Sequence, residues 1–128
     1  MFIPAAAWER LKENGKHAAF GGDGDVAPVV KLFTPDAQAT WLLTEVDPVD
    51  ADRAFGLCDL GLGFPELGYV DLRELAALRG SLGLPVELDQ GFEPAGPLSA
   101  YLGEARAAGK IVPLLGLSAR TRDSADDP

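Results

Sequence analysis

Four carboxylates stand within eight residues at Glu45, Asp47, Asp50 and Asp52, in the run Thr44-Glu45-Val46-Asp47-Pro48-Val49-Asp50-Ala51-Asp52. An oxygen-rich loop of this kind can hold Mg²⁺ or Ca²⁺, but the spacing lacks the EF-hand pattern and its central glycine. Two of the carboxylates could act as general acid and base, yet nothing in the spacing fixes their separation or perturbs their pKa values. The simplest reading is a solvated turn, in which Asp47 caps a proline-led bend and the charges protect adjacent strand edges. That reading ranks first, metal binding second and catalysis last. A second acidic row is Glu87, Asp89 and Glu93. In an extended strand residues 87 and 89 point to one face, so two carboxylates stand side by side. They form either the wet face of a sheet or one half of a charged docking surface, with the 45–52 loop as the other half.

Other chemistries lack their residues. His17 is the only histidine and Cys58 the only cysteine, so neither a Ser-His-Asp triad nor a His/Cys zinc site can be assembled by pattern. Gly21-Gly22-Asp23-Gly24 has no lysine and no flanking strand and helix, so it reads as a linker rather than a phosphate loop. Cys58 sits in the apolar stretch Ala54-Phe55-Gly56-Leu57-Cys58 without a basic neighbour, which suits a small buried hydrophobe better than a nucleophile. No catalytic residue, metal or cofactor is therefore assigned. Trp41, Tyr69 and Phe92 are candidates for an aromatic groove, the setting of a small-ligand or peptide site; Phe55 builds either core or groove.

The charge distribution bounds the partners. The net charge is −9, and residues 21–97 hold fourteen acids against only Lys31, Arg53, Arg73 and Arg79. An acidic body repels phosphate, which disfavours direct binding to nucleic acid and suits a cationic partner, including a protein surface that normally holds nucleic acid. Solubility is the plain alternative. No apolar run reaches the length of a transmembrane span and no basic stretch follows Met1, so no membrane association is expected and the cytoplasm is the expected compartment.

The elements that must position these groups follow from turn residues and periodicity. Residues 4–16 predict a helix stopped by Asn14-Gly15, with Trp8 and Leu11 on one face. Strand-like runs span 28–33, 40–46, 54–60 and 67–70, joined by short loops that favour antiparallel pairing. Asp71 and Glu74 resemble a capping box opening a helix over 72–79. Residues 85–90 alternate Val86 and Leu88 inward with Glu87 and Asp89 outward. Residues 98–108 predict a last helix, 111–117 an edge strand, and 118–128 a polar tail. The expected fold is one α+β domain over 1–117, a mostly antiparallel sheet of about five strands with two or three helices packed on it.

The ordered set Lys31-Leu32-Phe33-Thr34-Pro35, Trp41, Thr44-Glu45, Asp47-Pro48, Asp52, Phe55-Gly56, Gly61-Leu62-Gly63 and Pro65-Glu66-Leu67-Gly68-Tyr69 resembles a small bacterial family of domains of unknown function. The likeness continues through Leu72, Glu74-Leu75, Arg79-Gly80, Leu84-Pro85, Glu87, Asp89 and Phe92-Glu93-Pro94, and covers residues 4–94. The resemblance implies relatives encoded mainly on plasmids, phages and integrative elements, and no assigned activity, so no catalytic role is carried over. It adds Glu66 to Glu45, Asp47, Asp52, Glu87 and Asp89 as carboxylates of the shared pattern. The resulting expectation is a non-enzymatic interaction domain of a mobile element, docking an acidic face (Glu45, Asp47, Asp50, Asp52, Glu66, Glu87, Asp89, Glu93) on a basic host protein, such as part of a CRISPR or restriction complex. The rivals are a metal-assisted hydrolase using Glu45, Asp47 and Asp52 with Glu87 or Asp89, and a ligand- or peptide-binding module.

Overall fold

The computed structural model of the chain describes residues 3–22 and 24–114. Eight elements follow in order: α1 (Ala5–Ala19), β1 (Val30–Phe33), β2 (Thr40–Val46), β3 (Arg53–Asp59), β4 (Glu66–Asp71), α2 (Leu72–Ala77), β5 (Glu87–Leu88) and α3 (Leu98–Ala108). The five strands form one sheet in the order β4-β3-β2-β1-β5, antiparallel throughout. The α+β expectation of an antiparallel sheet with helices is met. Four consecutive strands pair with their sequence neighbours, which is what short turns between β-rich runs favour.

Strand alternation gives the sheet two apolar faces, and each has its own core. On one face Val30, Leu32, Trp41, Leu43, Val46 and Ala54 pack with Leu11 of α1 and with Leu72 and Leu75 of α2. On the other, Leu42 and Leu57 pack with Leu98, Tyr101 and Ala105 of α3. α2 opens as the sequence predicts, with the Asp71 carboxylate accepting from the Arg73 amide at 2.8 Å. It is shorter than expected, ending at Ala77. α3 matches its predicted span and ends at Gly109 in the left-handed region, φ 75°. Its first turn is capped across the chain, because Asp25 accepts from both the amide (2.9 Å) and the hydroxyl (2.6 Å) of Ser99.

Three expectations need correction. Asn14-Gly15 does not stop α1, which runs on to Ala19. The Asn14 side chain instead donates to the Thr44 carbonyl at 2.9 Å. A Cβ at Gly15 would lie inside the van der Waals shell of the Val46 carbonyl oxygen, so the glycine permits close helix–sheet contact rather than termination. The strand expected over 85–90 pairs only at Glu87–Leu88, although Val86 is buried and Glu87 exposed as the alternation requires. Residues 111–114 form no strand; Ile111 is held by its amide donating to Asp59 at 2.9 Å. Residues 115–117 of that expected strand, and the tail 118–128, lie outside the described residues.

β2 carries one irregularity that matters for function. Its register with β3 shifts between Leu43 and Glu45, so Thr44 is an extra residue. Were Thr44 a regular member of the ladder, simple alternation would put Leu43 and Glu45 on the same face. With Thr44 as an extra residue, Glu45 pairs with Phe55 and Val46 with Ala54, which sends Val46 into the α1 core and turns Glu45 to the α3 side. The carbonyl freed by this β-bulge is the one that Asn14 satisfies.

Candidate functional site

The face that α3 shares with the sheet is built in rows read straight across the strands. Leu42, Leu57 and Leu67 make one row; Glu45, Phe55 and Tyr69 make the next. The hairpin joining β2 to β3 closes the sheet beyond them, where the Arg53 amide donates to Asp50 and Asp47 bonds back to Arg53 through its own amide. α3 covers Leu42 and Leu57 but leaves Leu67 and Tyr69 exposed. Between them runs a groove of about 420 Å³, walled by Leu98, Ser99 and Leu102 on α3 and by Leu67 and Tyr69 on β4, with Phe55 as its floor and Glu45 at one end. The Phe55 and Tyr69 rings meet edge to face at 5.0 Å, and the Arg53 guanidinium stacks on Tyr69 at 3.8 Å. Such stacking holds the exposed tyrosine ring in place.

Glu45 is the unusual charge. Half-burial in the groove pushes its carboxyl above the usual range, and the nearby Asp47 charge adds to the effect. Asp47 goes the other way, because the amides of Val49 and Asp50 donate to its Oδ1 at 2.8 and 3.1 Å. It caps the hairpin, as the turn reading expects. Asp71 is likewise held low by the Arg73 amide and guanidinium.

A raised carboxyl opposes folding where it is ionised. The destabilisation is present above the folded pKa and relieved as pH falls through it toward the ordinary glutamate range. Glu45→Gln should therefore raise stability at neutral pH by about 0.3 kcal/mol, a small figure because groove solvent screens the charge. The gain should vanish at acid pH; paired thermal melts at the two pH values read it, and an equal or larger gain at acid pH would contradict this account.

The remaining residues singled out from sequence lie in different parts of the sheet. Asp50 and Asp52 share the hairpin with Asp47. Asp52 is bridged by Arg73 at 3.4 Å, which also meets Asp71. Glu66 opens β4, on the face opposite Leu67 and Tyr69. Glu87 lies on β5 at the other edge of the sheet, and Asp89 just beyond it is paired with Lys31 at 3.7 Å. Glu93 and Phe92 line a separate groove with Tyr101 and Ile111. Along the sheet β1 thus lies between the two halves expected of one acidic surface.

Among the groove candidates, only Tyr69 lines the groove that holds Glu45. Trp41 is buried in the α1 core, 2% exposed, because it falls on the inward phase of β2; Phe92 stacks with Tyr101 at 6.2 Å. Among the described residues no group of three or more His, Cys, Asp or Glu converges as metal ligands would. The metal-assisted hydrolase reading, which needs Glu45, Asp47 and Asp52 with Glu87 or Asp89 together, therefore lacks its constellation. Cys58 is partly buried, and that burial pushes its thiol up, away from nucleophilic character.

Sequence reasoning missed Arg53, Leu67, Ser99 and the extra residue at Thr44. The first three belong to the site only through strand register and the docking of α3, which no spacing encodes. Among the described residues no helix is long and apolar enough to cross a membrane. No curated protein and no solved structure matches the chain. Over residues 2–112, almost the whole of the described fold, the chain matches one family model, and it belongs to the family described as protein of unknown function, DUF2958.

Proposed function

We propose that the chain is a non-enzymatic interaction domain that receives a positively charged protein surface at the β2–β3 hairpin end of its sheet. The observation that carries this reading is a charge imbalance. Glu45, Asp47, Asp50, Asp52 and Asp71 gather near that end, whereas its two cations are already engaged: Arg73 bridges Asp52 and Asp71, and Arg53 stacks on Tyr69. Glu45, Asp47 and Asp50 make no ion pair with any described residue. Unpaired rim charges of this kind steer association more than they add affinity, and their effect falls with salt. The exposed ring of Tyr69 and the raised carboxyl of Glu45 supply an apolar and an acidic contact in one groove, with Phe55 between them. A mobile-element setting would make the partner a basic, nucleic-acid-handling surface of a host defence complex, such as a CRISPR or restriction assembly, which the domain would occlude.

The test is capture from nuclease-treated bacterial lysate at low and high salt, with the wild type beside the triple variant Glu45→Lys, Asp47→Lys, Asp50→Lys. A partner should be held by the wild type at low salt and fall about a hundredfold with the variant, at roughly 0.5 kcal/mol per reversed rim charge doubled by the change of sign. Equal capture by both proteins, or none at low salt, would refute the reading.

A further inference from the structure

The open edge of the sheet points to the mode of contact. β4 ends the strand order and has no strand beyond it among the described residues. Antiparallel pairs alternate between hydrogen-bonded and non-bonded. The Leu72 amide donates to the Asp52 carbonyl at 2.7 Å, which continues the β3–β4 register of Arg53 with Asp71 and Ala54 with Val70. Stepping by two, Val70, Gly68 and Glu66 face β3 with their backbone groups. Leu67 and Tyr69 therefore direct theirs outward, an N–H and a C=O on each that pair with no strand among the described residues.

The same stretch is unprotected in other respects. A Cβ built at Gly68 would meet nothing within 4 Å. Leu67 is 43% and Tyr69 56% exposed, and the preceding loop presents Leu62 and Phe64 at 73% and 79%. Edges of this length and apolar content are normally blunted by lysine, proline or a bulge. β4 has only Pro65 before it, and its charges, Glu66 and Asp71, are both negative. A second copy of this chain would bring those negative charges together, along with a net charge of −9 on each body. An incoming strand bearing cations meets no such repulsion.

We infer that β4 accepts an added strand from a partner protein, an extended segment with apolar side chains beside Leu67 and Tyr69 and lysine or arginine on the opposite face toward Glu66. Main-chain pairing supplies the affinity and the alternating side chains the selectivity, as in other strand-addition complexes. The inference rests on the reading of the chain as an interaction domain. It locates the contact at an edge that lies two strands away from Glu45, so the two sites fail independently.

The probe is an acetylated, amidated peptide of about ten residues alternating valine and lysine, long enough to match a typical strand. Its counterparts carry glutamate for lysine, or N-methyl groups on the pairing edge. Amide hydrogen exchange of the full chain is read by NMR. With the lysine peptide at twice its dissociation constant, exchange at Leu67 and Tyr69 should slow about threefold, while Gly68 and Val70 stay as they were. The N-methylated and glutamate peptides should have no effect. Leu67→Pro should abolish the response without unfolding the sheet, since the N–H that it removes points outward. The lysine peptide leaving both amides unchanged would overturn the inference, as would equal protection by the glutamate peptide. Protection that appears with protein concentration alone would assign the edge to a second copy. Protection in the free chain that is lost on removing residues 115–128 would assign it to the chain's own end. Either result also overturns the proposal. The hairpin triple variant should bind the peptide through this edge, which separates failure here from failure of the hairpin reading.

Discussion

Gly15→Ala is expected to destabilise the fold by about 2 kcal/mol or more, although alanine is the better helix former. At an exposed helical site the same change gains about 1 kcal/mol through helix propensity and a more restricted unfolded chain. Gly103 on α3 is such a site, with nothing within 4 Å of a Cβ placed there. At Gly15 the new methyl meets the Val46 carbonyl oxygen, which belongs to backbone and cannot rotate aside. α1 must then lift from the sheet, loosening Leu11, which is fully buried, and stretching the Asn14–Thr44 hydrogen bond. Overpacking of this kind typically costs about 1–3 kcal/mol on top of the forfeited propensity gain. Urea denaturation of the two alanine variants should move the midpoints in opposite directions. A stabilised Gly15→Ala would show that the helix does not sit as close as described.

The second large effect is Leu57→Ala. Leu57 is fully buried in the α3 core, in register with Leu42 and Leu67. Truncation removes most of a buried side chain from a small cluster whose other members are Leu42, Leu98, Tyr101 and Ala105. The expected cost is about 3 kcal/mol, transfer and cavity terms together. For a domain of this size that lowers Tm by roughly 10 °C. Leu67→Ala, in the same row but 43% exposed, should stay within about 0.5 kcal/mol of the wild type. Thermal melts of both variants make the comparison. Equal losses would mean that α3 covers more of the sheet than the groove allows.

The strands were legible because their runs are rich in apolar and β-branched residues and their turns carry Pro, Gly and Asp: Thr34-Pro35, Asp47-Pro48 and Asp71 each mark a boundary that the fold keeps. α3 was legible for the same reason, between Pro97 and Gly109. Gly15 misled because a glycine permits both a helix stop and a close contact, and only the position of Val46 decides between them. The hairpin acids were visible as a cluster, whereas their separation from Glu87 and Asp89 was not, since strand order places those at the far edge. Trp41 illustrates the limit. Its type suited a groove, yet the phase of β2 buried it, and phase is set by pairing partners rather than by residue type.

The extra residue at Thr44 acts like a frame for everything that follows it on β2. It does so only by staying out of the ladder. Drawn in opposite Phe55, it would exchange the destinations of its neighbours, sending the Glu45 carboxylate under α1 and Val46 out to the groove. An unpaired buried carboxylate costs several kcal/mol or forces its own protonation. A chain one residue shorter at 44 would keep both destinations in a regular ladder and lose only the carbonyl that Asn14 satisfies, so related chains should tolerate a one-residue gap there.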